Sequence, residues 1–274
     1  MNKKLIKFFK ITSLLVVTLY LGICTLLFLN QDNLLFHPKP LSKTDVIKIL
    51  NTNPDFDTLS FVMIDNVKIS LYVSKDSLGS KLPLLIYFGG NAEEVSHIME
   101  KKFYFKNFKF VLVNYRNFGL SEGKISEKNM FSDALEIYDK LKLRNDIDSE
   151  NINVIGRSIG TGVATYLSCQ RNIKSTVLIT PYESMIDVAQ EKYPFVPIGW
   201  LIKHPFNSKQ YALSVNSKML AVISKNDVVI PKQHAYNLIK AWKGKVVSKE
   251  YEDDHSSIMQ NEACWNLISE FISH

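Results

Sequence analysis

Cysteine is scarce in this chain of 274 residues: Cys24, Cys169 and Cys264 are all it has, with no C-x-x-C pair and no Cys/His cluster nearby. That excludes a disulfide framework and a structural zinc site, both of which need closely spaced ligands. Cys24 lies within an apolar leader. The other two are expected to be free, mostly buried thiols, with one Cys169–Cys264 bridge as the open alternative. Low-complexity tracts and internal repeats are also missing. With 46% hydrophobic and 22% charged residues the chain has the composition of a folded domain, which excludes disorder. Charge of one sign is short as well. The net +6 is concentrated in Lys3, Lys4, Lys7 and Lys10, leaving only about +2 on the remainder, too little for a nucleic-acid surface.

Residues 11–29, ITSLLVVTLYLGICTLLFL, contain no charge. At about 1.5 Å per residue this run nearly matches the ~30 Å hydrocarbon core of a bilayer. A cleaved signal peptide would need a shorter apolar region and a small-x-small site, and the run ends in LLFLNQDN, which has none. A lipoprotein site at Leu21-Gly22-Ile23-Cys24 is opposed by the bulky Ile23. The leader therefore reads as an uncleaved signal anchor, a single transmembrane pass. The four lysines before it, against a first lysine at Lys39 on the other side, orient the N-terminus to the cytoplasm and the main domain outside it (periplasmic in a bacterium). Lys43 and Lys48 soften that contrast. The organisation expected is a basic tail 1–10, an anchor 11–29, a linker and lead-in 30–58 with His37-Pro38-Lys39-Pro40 and Asn53-Pro54, and one large domain 59–274.

Within that domain the pattern alternates. Leu59–Asp65 and Val67–Ser74 read as a hairpin about Asn66. Leu82–Phe88 is a continuous apolar run, as in a buried parallel strand. A helix is expected over Ala92–Lys102, a strand over Phe110–Asn114 and an amphipathic helix over Lys128–Leu143. Then come a strand Ile152–Ile155, a helix Ile159–Cys169 rich in small residues, strands Thr176–Thr180 and Lys218–Ser224, a helix Gln233–Trp242, a strand Val246–Tyr251 and a closing helix Ile258–Ile272. A hairpin followed by β-α repeats implies a mostly parallel eight-stranded sheet with helices on both faces, with ligands bound at the C-terminal strand ends.

The chemistry-bearing residues fall at those strand ends. Gly156-Arg157-Ser158-Ile159-Gly160 is G-x-S-x-G between a strand and a helix, the setting a nucleophile elbow requires. Gly156 and Gly160 relieve crowding around the strained serine, and the helix N-terminus favours developing negative charge. A glycine-bracketed turn serving only packing is the bland alternative, and the downstream residues weigh against it. Asp227 directly follows a strand in Asn226-Asp227-Val228, and His255 follows another in Asp253-Asp254-His255-Ser256, giving the order Ser, Asp, His. A turn aspartate and a helix-capping loop are their bland alternatives. His234 reads as a surface helix residue and His274 as the frayed terminus. Asp253 and Asp254 are too near His255 to replace Asp227, though either can support it. The oxyanion hole is assigned to the N–H groups of Ile159 and, after the glycines of Phe88-Gly89-Gly90-Asn91, of Asn91.

These segments resemble the membrane-anchored branch of the α/β hydrolases, which includes eukaryotic acyl-protein depalmitoylases and bacterial members. The resemblance rests on FGGNAEE at 88–94, NYRNFGLSEG at 114–123, GRSIGTGVA at 156–164, TPYES at 180–184, NDVVIP at 226–231, DHSSI at 254–258 and FHP at 36–38. It covers nearly the whole chain past residue 30 and implies the α/β-hydrolase fold. Related chains usually carry His-Gly-Asn where this one has Gly89-Gly90-Asn91, so the oxyanion loop is expected to be tuned differently. Arg116 is expected to brace loops at the mouth of the site.

Residues 182–215 exceed an ordinary crossover and read as a lid insertion over the site. Its Tyr193, Phe195, Trp200 and Phe206 are expected to line an apolar acyl pocket or rest on the bilayer, against the alternative of a lid packed on the core. The function implied is a membrane-anchored serine esterase or thioesterase acting on acylated or lipidic substrates, with no cofactor, metal or nucleic-acid partner. A peptidase or amidase on the same fold and a non-catalytic anchored scaffold are the alternatives.

Overall fold

The computed structural model describes residues 3–75 and 81–274, so the first two residues of the basic tail lie outside the described residues. Helix α1 (Lys3–Leu35) extends well past the apolar run at both ends. Among the described residues it is the one helix long and apolar enough, by length and composition, to cross a membrane. Within the lead-in stands a helix the sequence reading did not anticipate, α2 (Lys43–Thr52), whose Ser42 and Asp45 form a reciprocal capping box.

The sheet follows. Strands β1 (Phe56–Val62) and β2 (Lys68–Ser74) form the expected hairpin, with Asn66 at φ 61° in the turn. Strand β3 is Leu82–Phe88, β4 Lys109–Val113, β5 Ile147–Arg157, β6 Ser175–Ile179, β7 Lys218–Ser224 and β8 Val246–Tyr251. Their order is β1-β2-β4-β3-β5-β6-β7-β8; only the pairings of β1 with β2 and β2 with β4 are antiparallel. Side chains alternate across the pleat of β3: Leu84, Ile86 and Phe88 enter one core, Leu85 and Tyr87 the other. Helices α3 (Glu127–Lys142), α4 (Ile159–Gln170) and α8 (Lys232–Ala241) supply the first core, and α9 (Glu262–Ser273) supplies the second through Trp265 and Ile268.

Two helices depart from expectation. The segment after β3 is a 3₁₀ helix over Val95–Phe105, starting three residues later than Ala92 because Glu93 turns back onto the Gly90 N–H and Glu94 caps the helix. The closing helix is broken into a 3₁₀ turn, Ser257–Gln260, and α9, where Asn261 caps the new start. The segment 182–215, expected to be a lid, contains α5 (Met185–Lys192), α6 (Ile198–Leu201) and α7 (Ser208–Ala212). Cys24, Cys169 and Cys264 are all free thiols.

Candidate active site

Ser158 stands between β5 and α4 with φ 52° and ψ −121°, a conformation that side chains other than glycine adopt only under constraint. The constraint is visible. The Ser158 N–H continues the ladder to the Ile179 carbonyl at 2.9 Å. A Cβ at Gly156 would collide with the Gly160 carbonyl oxygen and lie 2.8 Å from Thr161 Cα. One at Gly160 would collide with the Phe88 carbonyl oxygen and lie 2.6 Å from that of Gly89. Both glycines are therefore required by close backbone approach.

His255 Nε2 lies 3.0 Å from Ser158 Oγ, and its Nδ1 lies 2.6 Å from Asp227 Oδ2. The other Asp227 oxygen accepts the N–H groups of Val229 and Ile230, each at 2.8 Å. One carboxylate oxygen is thus fixed by backbone while the other faces the imidazole. The loops carrying acid and base are tied to one another: the Asn226 N–H donates to the Asp253 carbonyl at 3.2 Å, and Asn226 Nδ2 to that of Glu252 at 2.7 Å. Asp254 caps the His255 loop by accepting the N–H groups of Ser256 and Ser257. Asp253 accepts from Asn261. Neither aspartate has a hydrogen bond to the imidazole, which is engaged by Asp227 and Ser158.

Ile159 and Asn91 line a single cavity of about 320 Å³ together with Ser158. Asn91 is held from outside the sheet: its carbonyl accepts the His37 N–H at 3.0 Å, and its Nδ2 donates to the Leu35 carbonyl at 2.9 Å. A Cβ at position 89 would meet Val95 Cγ1 at 2.9 Å and Glu93 at 3.2 Å, so those two residues occupy the space that a side chain there would need.

Sequence reasoning missed a charge cluster beneath this loop, built around the buried Glu93. Glu93 accepts from the Gly90 N–H at 2.6 Å and the Tyr87 hydroxyl at 2.7 Å; Arg157 Nη1 lies 3.3 Å away, and His97 Nε2 also at 3.3 Å. Burial alone would raise the Glu93 pKa; His97, Arg157 and the Gly90 N–H outweigh it and hold the carboxyl at about 2. Arg157 also donates through Nη2 to the His255 carbonyl at 3.1 Å. One ion pair thereby joins the loop after β3, the residue before Ser158 and the backbone of His255. The only signal in the sequence was an arginine at the variable position of G-x-S-x-G.

Of the proposed pocket residues, Tyr193 lines the cavity. Phe206 does not: it is wholly buried in the core against Phe36 and Phe131, because its φ of 37° turns it inward under α4. Phe195 and Trp200 do not line it either, being 87% and 92% exposed at the tip of the lid. His234 is not on the surface. It is buried, its Nδ1 lies 2.8 Å from Glu183 Oε2, and Glu183 also accepts from Asn237. This pairing pins α8 to the start of the lid. Arg116 is structural: it bridges Asp65 in the hairpin turn and Asp133 on α3. No group of three or more metal-ligating side chains occurs among the described residues.

Residues 83–203 match the family of the α/β hydrolase fold. An uncharacterised protein of Mycobacterium tuberculosis is 24% identical over 80% of this chain and 78% of its own length. The lysophosphatidylserine lipase ABHD12 of Bos taurus is 31% identical over 58% of this chain, which spans only 45% of that lipase. Among solved structures, an esterase of Pyrococcus furiosus superposes with a TM-score of 0.68 at 17% identity, covering 87% of this chain and 97% of its own. The chain has the α/β-hydrolase fold.

Proposed function

We propose that this protein is a serine hydrolase that cleaves carboxylic esters or thioesters and is anchored in a membrane through α1. The observation that carries the reading is the hydrogen-bonded line Ser158–His255–Asp227, whose Ser158 lines a largely apolar cavity. Ser158 Oγ attacks the acyl carbon while His255 Nε2 takes its proton, and Asp227 stabilises the imidazolium and holds its tautomer. The N–H groups of Ile159 and Asn91 receive the oxyanion. The leaving alcohol or thiol departs with the proton from His255, and water then releases the acyl group by the same steps. The basic tail at 1–10, the anchor at 11–29 and the lead-in at 30–58 precede the catalytic domain at 59–274. The lysine bias puts that domain outside the cytoplasm.

The test is labelling of the detergent-solubilised full chain with a fluorophosphonate, beside Ser158→Ala. Labelling of the wild type that disappears in the variant is expected. A folded wild-type protein that takes no label would sink the assignment. Acyl esters, thioesters and peptides offered to unlabelled wild-type enzyme then separate an esterase from an amidase.

A further inference from the structure

One wall of the cavity above Ser158 is the anchor itself. Leu27, Phe28, Gln31, Leu34 and Leu35, all on α1, line it opposite the lid. Leu27 and Phe28 lie inside the apolar run 11–29. The contact between α1 and the lid is specific. The Gln31 side chain donates to the Leu201 carbonyl and accepts the Lys203 N–H, both at 2.8 Å. Further along, Asp32 lies 3.0 Å from His204 Nε2.

The lid also reaches down the helix. The Tyr20 hydroxyl donates to the Phe195 carbonyl at 2.8 Å. Tyr20 lies nine residues before Leu29, about 13 Å inside the end of the apolar run. If residues 11–29 span a bilayer, the lid tip lies at a depth where water is scarce. The exposed Phe195 suits that depth, while Trp200, beside Leu201 at the level of Gln31, projects outward nearer the end of the run. Nearer the end of the run, Lys203 Nζ sits 4.7 Å over the Phe28 ring, where a cation meets the lipid headgroups.

We infer that the anchor helix and the lid together form a lateral entry for the acyl chain of a bilayer-resident ester, so that α1 is part of the substrate site as well as a tether. The inference rests on the hydrolase reading above. The chain passes between α1 and the lid to Ser158 without crossing water, and the residues of α1 that face the cavity help set which acyl lengths are accepted. The clamp of Asn91 onto the Leu35 carbonyl places the end of this wall against the oxyanion loop.

The experiment uses the full chain in vesicles of dialkyl ether phosphatidylcholine, which contain no ester of their own. A hexadecanoyl fluorogenic ester is dissolved in the bilayer and a butanoyl ester in the water. Leu27→Trp and Leu34→Trp fill the cavity from the side of α1 and are expected to lower the ratio of long-chain to short-chain turnover by about tenfold or more. Leu15→Trp, on the same helix away from the cavity, leaves the ratio unaltered. A ratio unchanged by both cavity variants overturns the inference while wild-type labelling and turnover keep the hydrolase reading intact. Wild-type protein that neither labels nor turns over either ester defeats both.

A second measurement needs no activity. Trp242 and Trp265 are buried, so a quencher in the lipid reports chiefly on Trp200. Lipids brominated on their chains are expected to quench a component of the emission that Trp200→Phe lacks. Emission insensitive to those lipids overturns the inference.

Discussion

The floor of the cavity and its roof are held in different ways. On the floor, Ser158, Asp227 and His255 stand on strand ends whose backbones are locked by the sheet ladder, by glycines with no room for a Cβ and by the Glu93–Arg157 pair. The roof, made of α1 and the lid, rests on apolar side chains and a few polar pins at Gln31, Asp32 and Glu127. Steric exclusion and buried charge tolerate almost no displacement, whereas apolar contacts are non-directional and tolerate many arrangements. The contrast suits the proposed reaction, in which the reacting atoms hold still while an acyl chain enters and leaves above them.

Four changes test that contrast. The largest effect belongs to Ser158→Ala, expected to reduce ester turnover about 10⁴-fold or more and to alter unfolding free energy by no more than about 1 kcal/mol; parallel kinetics and denaturant titration check both. Gly160→Ala comes next. It drives a methyl into the carbonyls of Phe88 and Gly89, so a loss of several kcal/mol in stability, together with loss of fluorophosphonate labelling, is expected. Retention of wild-type labelling would show that the floor yields more readily than its geometry implies.

Glu93→Gln probes the buried pair. Its carboxyl is held at about 2 against an ordinary 4.5, so its contribution is present above 4.5 and lost as pH falls toward 2. A shift of that size corresponds to on the order of 3 kcal/mol. Wild-type stability should fall across that window and the variant's should fall less steeply. At neutral pH the variant should be less stable by a few kcal/mol, having left Arg157 without its counter-charge. His97 acts in the opposite sense. Its pKa is raised chiefly by the hydrogen bond to Glu93, so its contribution is present below its ordinary 6.5 and fades as pH climbs through the raised value.

The smallest effect is expected at the roof. Glu127, at the start of α3 beneath the lid, is raised by burial to about 7, with the Phe206 N–H opposing. A raised acid favours the folded state while protonated, so the penalty develops from pH 4.5 upward through 7. Glu127→Gln should therefore stabilise the protein by about 1–2 kcal/mol at pH 8, after allowance for solvent screening, and by little at pH 4.5. Thermal unfolding at the two pH values checks this. An effect at pH 8 as large as that of Glu93→Gln would erase the distinction between floor and roof.

Strand positions were legible because apolar runs bounded by turn residues carry their own register: β3, β7 and β8 fall where the sequence reading put them. Side chains whose burial depends on distant partners were not. His234 looks like any polar residue on an amphipathic helix until Glu183, 51 residues earlier, is folded against it. Phe206 belongs to an aromatic lid segment yet fills the core, since the chain reverses there at a positive φ. The late start of the helix after β3 likewise follows from Glu93 turning back to Gly90.

The amino-acid order alone determined the alternation of strands and helices, the glycine-flanked serine and the charge-free leader, because each depends on residues close together in the chain. Only the tertiary structure decided that Arg157 binds Glu93 and the His255 carbonyl at once, and that the leader closes over Ser158 as a wall of its cavity. Those arrangements join segments tens to more than a hundred residues apart, and the packing energies that choose among such long-range pairings leave no local pattern to read.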